Sequence, residues 1–296
     1  MANEYQSLIA RCEGAPYNCR LGIRVESVEP ERVRLRVPYQ DENSNPGKAL
    51  HGGVAASTIN IAGALAASTK LEAAPSVETA TLDLSVSYLA AAIGEDIVAT
   101  AEVLRRGKEI VYSDVDVRND AGKRIAHGLV TYRAFDHAAE PSARHRQRHA
   151  SPTLPAPQGA ELIHGARTFV MVPFIARLGM EVERAHDGEA VLHMPFKADN
   201  ADHGEVVHEG ALAALIDTTG ALASWSIVGL NLRYKASTVG IHVNYHAPAQ
   251  REAVTAHAHT LRRNNEIFLN SVTVSGRTSG TVVATGSVTY RIVVLD

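Results

Sequence analysis

The chain repeats itself. Slid against itself by 157 positions, its 296 residues match in one gapless register from near the start of each copy almost to its end. "APYNCRLGIRV" (15–25) falls on "VPFIARLGMEV" (172–182), and "VPYQDENSNPGKALHGG" (37–53) on "MPFKADNADHGEVVHEG" (194–210). Tyr88 falls on Tyr245, and "LRRGKEI" on "LRRNNEI". One extra residue enters near Thr278, in a stretch where a hairpin turn can absorb it, and "GLVTYR" then meets "GSVTYR". Such a repeat commits the chain to two copies of one fold. The expected domains are 1–135 and 161–296, joined by a linker at 136–160. That linker is rich in Pro, Ala, Ser and Arg and has no apolar period. Its "RHRQRH" cluster reads as solvated charge.

Each copy predicts the same elements. A short helical piece (near 7–12 and 161–170) leads to "RVRLRVPY" or "EAVLHMPF", whose period of two marks a half-buried strand. A polar loop with Asn, Pro and Gly follows. Next comes a run of small residues, about 51–69 and 208–227, which is apolar nearly all round and so predicts a buried helix. Four alternating runs close the copy, from "TATLDLSVSY" to "RIAHGLVTYRAF", with turns such as "NDAG" and "RTSG". A long antiparallel sheet with one buried helix has to curl around it, so the fold class is α+β, twice.

Several function classes fall away. With 29 basic and 32 acidic residues the net charge is −3, which suggests neither nucleic acid nor a membrane surface as partner. Cys12 and Cys19 form no disulfide framework, and no apolar leader opens the chain, so a cytoplasmic protein is expected. There is no G-x-S-x-G elbow, P-loop or dinucleotide fingerprint. His257 and His259 share a strand face and could meet His242 or His246. No Cys or acidic residue at a zinc spacing accompanies them, and no metal or cofactor is expected.

One motif organises the rest. Asn45-x-Gly-x-x-x-His51-Gly52-Gly53, an acidic residue nine positions after the histidine (Asp217 after His208), and a strand ending in Tyr resemble the hotdog-fold acyl-CoA thioesterases of the phenylacetate-pathway type. The resemblance covers nearly all of both copies. It implies a double hotdog whose halves imitate a homodimer, an acyl-CoA substrate, and further association into a homo-oligomer.

The first N–H groups of a helix lack intrahelical partners and favour negative charge. Glycines at 52 and 53 would let a thioester oxygen approach those amides, at some cost in helix propensity. A plainer use for them is close packing of the helix start against the sheet. Asp217 lies in the apolar stretch "AALIDTTG", where a carboxylate is costly unless it is paired or functional. Nine helical residues set it roughly 13 Å along the axis from His208 and half a turn round. It therefore has to act at another helix start, that of the first copy. One composite site is then complete: Asn45, His51, Gly52 and Gly53 with Asp217. The other would join Asn60 to Asp202, His208, Glu209 and Gly210; it lacks the base, carries carboxylates where an oxyanion would form, and is expected to be dead or only to bind ligand.

The resemblance adds a water-orienting hydroxyl seven residues before the Tyr, at Thr238 in the live site and Thr81 in the other. It also places Arg105, Arg106, Arg262 and Arg263 toward the CoA phosphates; ordinary exposed charge is the plainer reading of these. Whether Asp217 attacks the carbonyl or activates water stays open. The expected reaction is acyl-CoA hydrolysis, with an acyl-CoA-binding sensor and an enoyl-CoA hydratase as alternatives.

Overall fold

The structure, a computed structural model, describes residues 5–71, 77–136, 162–231 and 233–293. Copy one runs α1 (Gln6–Gly14), α2 (Pro16–Leu21), β1 (Arg24–Glu29), β2 (Arg32–Val37), α3 (Gly52–Ser68), β3 (Val77–Tyr88), β4 (Ile97–Arg106), β5 (Ile110–Asn119) and β6 (Arg124–Asp136). Copy two repeats the order as α4 (Ala166–Phe169), α5 (Pro173–Leu178), β7 (Glu181–His186), β8 (Glu189–Met194), α6 (Glu209–Val228), β9 (Lys235–Tyr245), β10 (Val254–Asn264), β11 (Ile267–Gly276) and β12 (Val282–Val293). The short helices α2 and α5 and the first strands β1 and β7 go beyond the sequence reading. β6 takes in Asp136, expected as the first linker residue, and 137–160 lie outside the described residues. The turn between β11 and β12 is one residue longer than that between β5 and β6, so the inserted residue sits in a hairpin turn.

All twelve strands form one antiparallel sheet in the order β1-β2-β4-β5-β6-β3-β9-β12-β11-β10-β8-β7. The copies join edge to edge through β3 and β9, whose central pair is Ser85 with His242. These two residues stand one repeat length apart, so the pseudo-twofold axis passes through that pair. Beside it, His242 Nε2 lies 3.0 Å from Asp83 Oδ2.

Each half of the sheet wraps its own long helix, and α3 and α6 pack against each other at the centre. Of the 17 residues of α3, 14 are buried; of the 20 of α6, 17 are buried. By length and composition α6 could cross a membrane, but it is the core helix of this fold. Hydroxyls within these helices donate to the preceding turn, as Thr58 does to the Val54 carbonyl (2.7 Å) and Thr218 to the Ala214 carbonyl (2.7 Å). Small residues let each helix lie close to the sheet and to its counterpart. A Cβ on Gly63 or Gly220 would come within 2.6 Å of Val130 or Val288.

The N-terminal helices cross the axis. Tyr17 on α2 stacks on His208 of the other copy at 4.6 Å, and Phe174 on α5 lies 4.8 Å from the His51 ring. Each copy thus braces the loop that opens the other copy's central helix.

Candidate active site

His51 is the N-cap of α3. Its Nδ1 accepts the Gly53 N–H at 2.9 Å, and its backbone N–H donates to the Asn43 carbonyl at 3.0 Å. Burial pushes the ring down to about pKa 4, so it is neutral. With Nδ1 accepting, its proton sits on Nε2. Among the described residues, the Gly52 N–H, first amide of the helix, meets no acceptor. The Gly52 carbonyl accepts the Tyr88 hydroxyl at 3.1 Å, which fixes the plane of the next peptide.

Asp217 reaches this point from α6. Its Oδ2 lies 2.8 Å from the position a Cβ on Gly52 would take, and its Oδ1 accepts the Thr238 hydroxyl at 2.6 Å. The side chain is only 2 % exposed, and burial raises its pKa to about 6, against the lowering effect of Thr238. The structure therefore brings His51, Gly52, Asp217 and Thr238 together across the pseudo-dyad.

Other expected members are placed differently. The Gly53 N–H is committed to His51, so that amide is not an open donor. Gly53 is needed for packing, because a Cβ there would lie 2.6 Å from Ala214 Cβ and 3.0 Å from Phe174. The close neighbour is the other helix, not the sheet. Asn45 closes its turn through a backbone bond, its N–H donating to the Ala49 carbonyl at 2.7 Å. The asparagine beside His51 is Asn43, buried, with Nδ2 on the Leu21 carbonyl (3.1 Å) and Oδ1 accepting from Arg177 (2.6 Å). Sequence reasoning missed Asn43, Arg177, Phe174 and the grip of Tyr88. The signal for the first two was present: Asn43 and Arg177 recur unchanged as Asn200 and Arg20.

The second cradle is already filled. Glu209 stands where copy one has Gly52, and its Oε1 accepts the Thr81 N–H at 3.0 Å while Oε2 lies 3.4 Å from Asn60 Nδ2. Asn60 Nδ2 also donates to Thr81 Oγ1 at 3.1 Å. Burial raises the Glu209 pKa despite these donors. The Gly210 N–H is taken by His208 Nδ1 at 3.0 Å, and burial lowers His208 to about 4. Asp202 does not present its carboxylate to the helix start as expected; it folds back on its own turn, accepting the Gly204 and Val206 N–H groups at 2.7 and 3.3 Å.

The arginines divide. Arg106 is held inside the protein, with Nε 2.7 Å from Glu31 Oε1 and Nη2 on the Ala67 carbonyl at 2.8 Å, so the expected phosphate role does not suit it. Arg263 lies over the Phe268 ring at 5.1 Å. Arg105 and Arg262 are exposed, and Arg262 borders a shallow groove with Asn264, Ile267 and Leu269. The histidines considered for a metal are dispersed: His242 is on Asp83, and His246 Nε2 is 2.8 Å from Thr285 Oγ1.

Known proteins resemble this chain in sequence and in fold. The sequence pattern of the thioesterase superfamily matches residues 47–126 and 204–283, more than half the chain, and the two segments are offset by the repeat length. Human acyl-coenzyme A thioesterase 13 is 35% identical over 111 residues, which is 37% of this chain and 77% of that protein. The medium/long-chain acyl-CoA thioesterase YigI of Escherichia coli is 31% identical over 130 residues, 40% of this chain and 84% of its own. Two solved structures match both copies at once. A hot dog fold protein of Alicyclobacillus acidocaldarius has a TM-score of 0.64 at 16% identity, covering 91% of this chain and 96% of its own. The tesB protein of Mycobacterium avium subs paratuberculosis has a TM-score of 0.62 at 15% identity, covering 97% and 98%. The fold is a double hotdog, and the chain belongs to the thioesterase superfamily.

Proposed function

We propose that the chain is an acyl-CoA thioesterase that hydrolyses its substrate at one composite site, built from the start of α3 and the middle of α6. The observation that carries this reading is the Asp217 carboxylate, buried, raised to about pKa 6, and set against Gly52 of the other copy. A carboxylate with a pKa near neutrality suits proton transfer. The acyl-CoA thioesterases among the relatives support the substrate class.

In this mechanism the thioester oxygen lies on the Gly52 N–H, at the positive end of α3. Water held between Asp217 and Thr238 gives a proton to Asp217 as its oxygen bonds to the acyl carbon. Negative charge collects on the carbonyl oxygen and is stabilised by the amide. Collapse breaks the C–S bond, and the leaving thiolate takes the proton back, so that free acid and CoA depart. The Glu209 cradle takes no part, because its own carboxylate occupies the donors of copy one.

Thiol release from a panel running from acetyl-CoA to palmitoyl-CoA tests the reading. Asp217→Asn should abolish release in a folded protein, and Asn60→Ala should leave most of it. Binding without release would favour a sensor, and consumption of an enoyl-CoA without thiol release a hydratase. The unit also associates further. Leu104 and Leu261, one repeat apart, are 63% and 64% exposed, and light scattering should give a mass above that of one chain.

A further inference from the structure

We propose that Arg177 is a positioning residue for the Asp217 site, and that its repeat counterpart Arg20 makes the equivalent contact at the filled cradle without catalytic consequence. This inference rests on the one-site reading above and adds a residue to it that touches neither substrate nor Asp217.

The chain of contacts is short. Arg177 Nη1 donates to Asn43 Oδ1 at 2.6 Å, and Nη2 donates to the Arg20 carbonyl. The Asn43 carbonyl accepts the His51 N–H, and His51 Nδ1 accepts the Gly53 N–H. Gly52, whose Cα faces the Asp217 carboxylate, lies between those two anchored residues. One helical turn before Arg177, Phe174 covers the His51 ring. α5 of copy two thus holds both the loop and the ring that set the first amide of α3. Charged donors on neutral acceptors make such contacts stronger than ordinary hydrogen bonds.

The mirror contacts exist. Arg20 Nη1 donates to Asn200 Oδ1 at 3.1 Å and to Asp199 Oδ2 at 2.7 Å, and Nη2 donates to the Arg177 carbonyl. The Asn200 carbonyl in turn accepts the His208 N–H at 2.9 Å. Both guanidiniums therefore brace the fold, but only the loop held by Arg177 opens onto a free amide and a carboxylate base. A small displacement of that amide weakens transition-state stabilisation far more than it weakens binding.

The duplication supplies the control. Arg177→Ala and Arg20→Ala are made in the full chain and compared by kcat, KM and thermal unfolding. Arg177→Ala should lower kcat by up to roughly 100-fold with KM nearly unchanged, and added guanidine at millimolar concentration should restore part of kcat. Arg20→Ala should lower Tm by a similar amount and leave kcat within about threefold of the parent. Asn43→Ala against Asn200→Ala should show the same polarity, and serves if an arginine variant fails to fold. Equal kcat losses within either pair, or full kcat in Arg177→Ala, would overturn the inference. Undiminished release by Asp217→Asn would instead remove the one-site reading on which it stands.

Discussion

The Asp217 carboxylate of one copy rests against Gly52 of the other, 2.8 Å from where a side chain would begin. The glycine makes room for the carboxylate oxygen. Gly52→Ala should push the carboxylate away and cost on the order of 100-fold in kcat, with little change in stability. Gly53→Ala should behave in the opposite way. Its methyl meets Ala214 at 2.6 Å, so overpacking should cost about 1–3 kcal/mol of stability. Denaturant unfolding and thiol release on the two variants separate the roles.

A buried carboxylate with a raised pKa strains the folded state. The folded protein holds the Asp217 proton more tightly than the unfolded chain, so this residue's contribution to stability falls as pH rises from about 4 through 6. Asp217→Asn should therefore stabilise the protein by up to about 3 kcal/mol near pH 8 and by almost nothing near pH 4. Calorimetry at both pH values checks this; equal Tm shifts at both would contradict it.

In the proposed mechanism the same group sets the acid limb of activity. Hydrolysis needs the ionised carboxylate, so kcat/KM should fall as pH drops below about 6. Thr238 donates to Asp217 and holds its pKa down. Thr238→Val should move the limb to higher pH and lower kcat even on the alkaline plateau, where water has lost its second anchor. A pH–rate profile that does not move would remove Thr238 from the mechanism.

The second cradle differs from the first mainly in two side chains. Asn60→Asp alone should gain nothing, since it sets a second carboxylate beside Glu209, whose Oε2 is 3.4 Å from Asn60 Nδ2. Combined with Glu209→Gly in an Asp217→Asn background, it should restore measurable thiol release from an otherwise inactive chain. A triple variant no better than Asp217→Asn would mean that the cradle lacks more than a base and an open space.

Single-turnover hydrolysis in ¹⁸O-labelled water addresses the chemical route. With Asp217 as base, the label should enter the released acid and never the protein. Label found in the Asp217 carboxylate would make that residue the nucleophile instead.

Much of this was legible in residue order. The 157-residue offset fixed two copies, the period-two runs became β2 to β6 and β8 to β12, and the small-residue runs became α3 and α6. The distance of Asp217 from its own helix start was enough to send it to the other copy, because helical rise and turn are local geometry. What residue order could not decide was which backbone amide stays open. His51 takes the Gly53 N–H, and the glycine there serves a helix contact with Ala214, a residue of the other copy. Nor could it show that α2 and α5 cross the axis, so that Asn43 and Arg177 form a pair, or that Glu209 lies on Thr81. These contacts join residues more than a hundred positions apart, and short-range pattern carries no trace of them. They arise only when two curled half-sheets meet along β3 and β9 and the polar groups trapped between them must find partners.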